Sequence, residues 1–256
     1  MTTLYALGSG SAGNAFAIST GTEALLIDAG FSAREITRRA TAAGLDLAQL
    51  VGIVLTHEHG DHTAGVARLA QTLGIPVLAS IGTWERLRAK MPRVAFLPLT
   101  IMGGMRHGGF HIEACPTSHD AAEPVALSIR TVAGHRIAIA YDLGRPTTAV
   151  RYLLRESDAI VLEANHDDVL LRTSDYPPVV QERIAGSSGH LSNRAAAELL
   201  GEVCHVGLQV VVLAHLSARC NTSAEATAAV APVLAGNGTQ LFVAPQHEAL
   251  EPIALR

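Results

Sequence analysis

The 256-residue chain is 48% hydrophobic and 16% charged, a composition that excludes a disordered or low-complexity protein and promises a substantial core. Its formal net charge of −4 supplies no global basic field of the kind that advertises nucleic-acid binding, and no apolar run approaches the length of a membrane span. The start MTTLYAL lacks a basic segment followed by an apolar one, so a cytoplasmic protein with no membrane partner is expected.

From the N-terminus, an apolar run from Leu4 to Leu7 enters Gly8-Ser9-Gly10-Ser11-Ala12-Gly13, which fits the spacing G-x-G-x-x-G, and Asp28 lies twenty residues after Gly8. Those are the outward signs of a dinucleotide-binding loop, but that motif requires a helix directly after the loop. Here residues 15–19 and 24–27 are short apolar runs around Thr20-Gly21-Thr22, which predicts a β-hairpin and leaves no helix N-terminus for a pyrophosphate. The dinucleotide reading fails, and the loop must serve another purpose.

A capping box, Ser32-Ala-Arg-Glu35, opens the first helix, which stops at Gly44. Residues 51–56 form a buried strand, 63–74 an amphipathic helix, 76–80 a strand and 83–90 a helix closed by Pro92. A strand-rich stretch follows at 93–99, 110–116, 125–131 and 135–142. The remainder alternates: helix 147–157, strand 159–164, helix 192–203, strand 208–216, a helix from the capping box Thr222-Ser-Ala-Glu225 to Gly236, and strand 240–245. The order is β-rich, then α/β, twice over, with no linker, so a single domain over 1–256 with two stacked sheets and helices outside is expected. Cys115, Cys204 and Cys220, odd in number and widely spaced, read as buried thiols of a reducing compartment. Nearly all the cations are arginine, with Lys90 the only lysine, which suits bidentate phosphate contacts and equally reflects residue-usage bias.

The segment LTHEHGDHTAG places His57, His59, Asp61 and His62 within six residues, at the junction of a buried strand and a helix. Imidazole and carboxylate at this density suit zinc, manganese or iron, and a tight turn can aim alternate side chains at two adjacent ions.

This H-x-H-x-D-H pattern resembles that of the metallo-β-lactamase-fold hydrolases, which implies an αββα sandwich and two divalent ions per chain. The resemblance extends over nearly the whole sequence. LLIDAG matches the early acid element, implying that Asp28 supports the metal loop from behind. CPTSHD supplies His119, IAIAYDLG supplies Asp142, and VVVLAHLS supplies His215. By resemblance, His57, His59 and His119 hold one ion, Asp61, His62 and His215 the other, and Asp142 bridges them; Asp61 is also placed among the catalytic groups. Diiron oxidases carry a glutamate at the position of His59, so redox chemistry is not implied.

LGSGSAGN, EANHDDVLL, GSSGHLSN and LAHLSARCN together resemble the YycJ/WalJ-type group, implying a 5′-to-3′ exonuclease acting on nucleic acid, DNA ahead of RNA. There is no segment for the inserted domain of β-CASP nucleases and no flexible arm like that of RNase Z. His190 resembles the RNase Z-type histidine paired with a glutamate, here Glu163; it is either a proton donor to the leaving oxygen or an ordering residue before the helix at Ser192. Ser9, Ser11 and Asn14 of the first loop are the expected substrate contacts, as an anion nest, unless the glycines merely let the turn pass close to the metal loop. His166 is a further phosphate contact. The alternatives are a small-molecule hydrolase of the same fold, acting on a cyclic phosphodiester, lactone or thioester, and a non-enzymatic metal-bound module. Asp142 disfavours a true β-lactamase, where cysteine is usual. Oligomeric state is left open.

Overall fold

A computed structural model describes residues 1–256. The chain forms β1 (Thr2–Gly8), β2 (Ala15–Ser19), β3 (Ala24–Ile27), α1 (Ala33–Ala42), β4 (Leu50–Val54), α2 (Gly60–Thr63), α3 (Val66–Leu73), β5 (Val77–Ala79), α4 (Ile81–Leu87) and β6 (Phe96–Pro98). The second half adds β7 (Gly104–His107), β8 (Phe110–Pro116), β9 (Val125–Thr131), β10 (Arg136–Ala140), α5 (Thr148–Leu154), β11 (Ala159–Glu163), α6 (Asp168–Arg172) and α7 (Pro178–Ala185). It ends with α8 (Asn193–Val203), β12 (Val210–Ala214), α9 (Ser223–Leu234), β13 (Gln240–Val243) and β14 (Ile253–Leu255).

Two seven-stranded sheets result, in the orders β14-β1-β2-β3-β4-β5-β6 and β13-β12-β11-β10-β9-β8-β7. Each is antiparallel on one side and parallel on the other, changing over at β3 and at β10. The sheets face each other across one apolar layer, where Phe16, Ile18, Leu25 and Ile27 meet Ile112, Leu127, Ile139 and Val161. The alternate residues point outward: Leu26, Ile53 and Leu55 pack with Ile36 and Leu69, and Ile160, Leu162 and Leu213 pack with Leu154, Leu200 and Val230. Central strands buried on both faces become continuous apolar runs, which is why they were legible without alternation. The four-layer αββα sandwich expected from the resemblance is the observed fold.

The predicted hairpin forms, with Phe16 opposite Ile27 and Ser19 opposite Ala24. Ser32 accepts from the Glu35 amide as a cap should, but Glu35 does not return the bond; its carboxylate binds Arg38 and Arg39 instead. The helix predicted over 63–74 is broken, because the Gly65 amide leaves the helical ladder to donate to Ala29 O at 2.8 Å, and α3 begins only after it. β7, β14, α6 and α7 have no counterpart in the expected pattern: β7 and β14 are three or four residues long, and α7 buries no side chain at all. Cys115 and Cys220 are buried and Cys204 half-buried, all as free thiols.

One buried cation ties the edge of the first sheet together. Arg39 donates to Leu7 O at 2.9 Å and Gln246 O at 3.1 Å, and its guanidinium lies 3.9 Å from the centre of the Phe31 ring. Gly8, at φ +148°, leaves the space: a Cβ there would fall 2.0 Å from Arg39 Nη1. Arg39→Met leaves two carbonyls without donors and should cost about 2–4 kcal/mol in denaturant titration. Glu35 is pulled down to about 2 by Arg38 and then Arg39. Its folded value is depressed, so its contribution is present above the ordinary carboxylate range and disappears as pH falls from about 4.5 through about 2. The stability difference between wild type and Glu35→Gln should vanish over that window.

Candidate metal centre

The predicted ligands come from loops at one edge of the sandwich, all following the C-terminal ends of strands. His57, His59, Asp61 and His62 follow β4, His119 follows β8, Asp142 follows β10 and His215 follows β12. Asp28, Asp142 and His215 all take left-handed backbone, at φ 56°, 55° and 55°. Non-glycine residues enter that region at a cost, and it turns each side chain sharply off its strand into the shared edge.

The structure brings all seven donors together. His57 Nε2 is 3.0 Å from His59 Nδ1, which is 3.2 Å from His119 Nε2. Asp61 Oδ2 lies 3.3 Å from His62 Nε2 and 3.4 Å from His215 Nε2. Asp142 stands between the sets: Oδ2 is 3.0 Å from His62 Nε2 and 3.9 Å from His57 Nε2, and Oδ1 is 3.7 Å from His119 Nε2. Nitrogens held 2.0–2.1 Å from a tetrahedral zinc lie about 3.3 Å apart, so the spacing fits a small cation.

The protons say the same. Thr56 Oγ1 donates to Asp28 at 2.7 Å and so must accept from His57 Nδ1 at 3.1 Å, which leaves the Nε2 lone pair free. His62 Nδ1 donates to Asp28 at 2.7 Å, His215 Nδ1 to Glu163 at 3.0 Å and His119 Nδ1 to Gly189 O at 3.2 Å. Four imidazoles are thereby held in the tautomer that presents Nε2 to the centre. Asp142 Oδ2 is buried and receives no hydrogen bond, a charge left for something other than a protein donor. Burial holds His57 and His119 below the usual imidazole range, in the neutral form that binds metal. Burial would also lower His62 and His215, but neighbouring carboxylates outweigh it: Asp28 and Asp142 lift His62 well above that range, and Asp142, Asp61 and Glu163 lift His215 to about 9. Without metal each of these two rings therefore holds a proton at Nε2 that a bound cation would displace. The donor set fits divalent metal.

Asp28 anchors the loop: its carboxylate also accepts from the Thr56 amide at 2.8 Å and Tyr141 OH at 2.7 Å. Thr56 and Tyr141 escaped the sequence reading, their only signal being that each directly precedes a ligand. Glu163 is likewise buried; it accepts from the Leu143 and Leu191 amides, and His190 Nδ1 donates to it at 2.8 Å. Although burial works against its charged form, His190 is lifted to about 10 by the carboxylates of Glu163 and Asp142.

The glycine-rich loop is knitted to the metal loop, and two of its three expected substrate contacts turn away from the cleft. Ser9 is buried; it donates to Asn14 Oδ1 at 2.7 Å and accepts from the His215 amide at 2.8 Å. Asn14, also buried, has Nδ2 3.2 Å from His62 Nε2, and its amide donates to Asp61 O at 2.8 Å. Both side chains are committed to positioning ligands, which leaves neither free for a phosphate. Ser11 alone is exposed and lines the cleft. His166 is buried outside it.

The cleft above the donors has a volume of about 250 Å3. His59, Asp61, His119, Asp142, His190 and His215 reach its floor, and Asp120, Tyr176 and Arg183 form a wall that the sequence reading did not identify. Asp120 adjoins His119 in the sequence, but Tyr176 and Arg183 lie in the unpredicted α6–α7 segment.

Comparison with known proteins agrees with this geometry. A family model described as the β-lactamase superfamily domain matches residues 23–216. The chain is 32% identical over 235 residues to the protein named exodeoxyribonuclease YycJ of Bacillus anthracis, covering 91% of this chain and 89% of that one. It is 31% identical over 220 residues to exodeoxyribonuclease WalJ of Streptococcus pneumoniae serotype 2 (strain D39 / NCTC 7466), covering 84% and 81%. The metallo-β-lactamase fold protein YhfI from Bacillus subtilis superposes with a TM-score of 0.76 at 16% identity, over 98% of this chain and 100% of that one. Fold and donor set define a metal-dependent hydrolase. The chain belongs to the β-lactamase superfamily, with the YycJ and WalJ proteins as relatives over most of its length.

Asp28→Asn keeps the shape but places an amide where four donors converge. Support residues of this kind typically govern 10- to 100-fold in metal affinity. Competition against a fluorescent chelator should show a loss of that size; unchanged affinity would remove Asp28 from the support of the metal loop.

Proposed function

We propose that the protein is a binuclear-metal nuclease, acting as one domain, that hydrolyses phosphodiester bonds at nucleic-acid ends, DNA ahead of RNA, in the 5′-to-3′ sense. The observation that carries it is Asp142, whose buried Oδ2 stands between the two donor sets, 3.0 Å from His62 Nε2 and 3.9 Å from His57 Nε2. His57, His59 and His119 would hold one ion, and Asp61, His62 and His215 the other, with Asp142 shared. Two divalent ions bound there supply Lewis acidity toward a phosphoryl oxygen and a nucleophile at neutral pH; zinc and manganese suit the donors, and iron is compatible with them. The match to proteins named exodeoxyribonuclease over 84–91% of this chain supports a nucleic-acid substrate over a lactone or thioester.

The chain's own groups then orient the substrate and move a proton. Glu163 accepts a hydrogen bond from His190 Nδ1, so the Nε2 edge of this partly exposed ring is the one directed at the cleft. A protonated imidazole there can donate to the leaving oxygen, with Glu163 holding its Nδ1 proton by a hydrogen bond. Asp61, partly exposed on the cleft floor, would serve there as both a metal ligand and a catalytic group. Ser11 remains for a neighbouring phosphate, because the amides of Ser9, Gly10, Ala12, Gly13 and Asn14 all donate within the protein.

Asp142→Asn removes the charge that lets two cations sit together, so metal content and turnover should fall in parallel. His190→Ala should keep the metal and slow the chemical step by about 10²- to 10⁴-fold. The deficit should shrink on a nitrophenyl phosphodiester, whose leaving group needs little protonation. A His190→Ala protein that loses metal, or is equally slow on both leaving groups, contradicts the assignment. A wild-type protein that turns over a lactone or thioester but no phosphodiester contradicts the function.

A further inference from the structure

One wall of the cleft is built from a segment with no part in metal binding. Between α6 and α7 the chain turns at Tyr176-Pro177-Pro178, and Gln181 Nε2 pins the turn by donating to Tyr176 O at 2.9 Å. The Tyr176 ring lines the cleft. Arg219, from the loop after β12, holds its guanidinium carbon 5.2 Å from the ring centre. Arg219 does not line the cleft and has no ion pair, so its visible role is to hold the ring by a cation–π contact. One α-helical stretch further on, Arg183 reaches the same cleft. Its Nε and Nη2 both donate to Asp120 Oδ2, at 3.2 and 2.6 Å, which fixes the guanidinium plane. Nη1 has no partner, and the side chain is 74% exposed. A cleft otherwise lined by imidazoles, carboxylates and hydroxyls, with Asn165 and Ile184, thus carries one aromatic ring beside one oriented cation with a free donor group.

Resting on the nuclease reading above, the geometry points to a nucleotide subsite: an unpaired terminal base stacks on Tyr176, and Arg183 Nη1 binds a phosphate of the same strand end. An aromatic face reads any base, because every base has a π-face, but only one pulled out of the duplex stack. The substrate class that follows is a single-stranded or frayed end that carries its base, with little preference among the four bases. Arg219 is a positioning residue that acts through the ring.

The test compares two end-labelled single-stranded oligonucleotides of equal length, one with a normal terminal nucleotide and one with an abasic terminal residue. Wild type, loaded with manganese, should favour the base-bearing end about tenfold in kcat/KM, mostly through KM, as expected for one lost stack. Tyr176→Phe should keep the preference, and Tyr176→Ala should bring it close to one. Arg183→Gln should raise KM on both oligonucleotides and leave the ratio in place. Equal rates on the two ends in wild type would overturn the subsite with the nuclease reading intact, whether or not Tyr176→Ala folds. A ratio that survives Tyr176→Ala in a protein with an unchanged thermal midpoint would move the base elsewhere. Failure of wild type to cut either oligonucleotide, with a nitrophenyl phosphodiester still hydrolysed, would overturn the nuclease reading itself.

Discussion

A histidine can offer a lone pair at Nε2 only while its other nitrogen keeps a proton, and a buried proton needs an acceptor. The active edge of this protein is organised around that requirement. Asp28 accepts from His62 directly and from His57 through the Thr56 hydroxyl, Glu163 accepts from His215, and the Gly189 carbonyl accepts from His119. Remove these acceptors and the same imidazoles are free to rotate or swap tautomers, and the central carboxylate of Asp142 would have nothing aimed at it but neutral or protonated rings. The positive backbone angles of Asp28 and His215 are tolerated because each is tied at several points, Asp28 through its amide and carboxylate and His215 through its amide, carbonyl and ring.

The sandwich supplies this arrangement by repetition. Each sheet changes from antiparallel to parallel pairing near its middle, and the strand at the changeover, β3 or β10, is followed within two residues by an aspartate in left-handed backbone, Asp28 or Asp142. One aspartate supports from behind, and the other stands between the donor sets. The glycine-rich loop joins the two sheets' contributions: the Ser9 hydroxyl meets the His215 amide from the second sheet, and Asn14 meets the metal loop of the first. Gly30 is the contact that permits no side chain, since a Cβ there would fall 1.6 Å from Asp61 O.

Much of this was legible in the sequence, and the exceptions have physical causes. The central strands and capped helices declare themselves through apolar runs and Ser or Thr caps, and LTHEHGDHTAG through sheer density of donors. The hairpin after Gly13 was enough to dismiss a dinucleotide site. Which serine of the loop faces the cleft was not legible, because Ser9 and Ser11 differ only in the direction the backbone turns at Gly10, and that direction is set by strands remote in sequence. The α6–α7 wall was invisible for another reason: α7 buries nothing, so no apolar period marks it, and Tyr176 and Arg183 acquire meaning only through Arg219 and Asp120. The break at Gly65 depends on a hydrogen bond to Ala29 that no local pattern encodes.

In the proposed centre the shared carboxylate of Asp142 organises two cations, not one. The most direct measurement is an anomalous difference map from crystals equilibrated with manganese. The account predicts two peaks about 3.5–4 Å apart, one among His57, His59 and His119 and the other among Asp61, His62 and His215, with Asp142 between them. A single peak at saturating metal, or two peaks with Asp142 bound to only one, would contradict it.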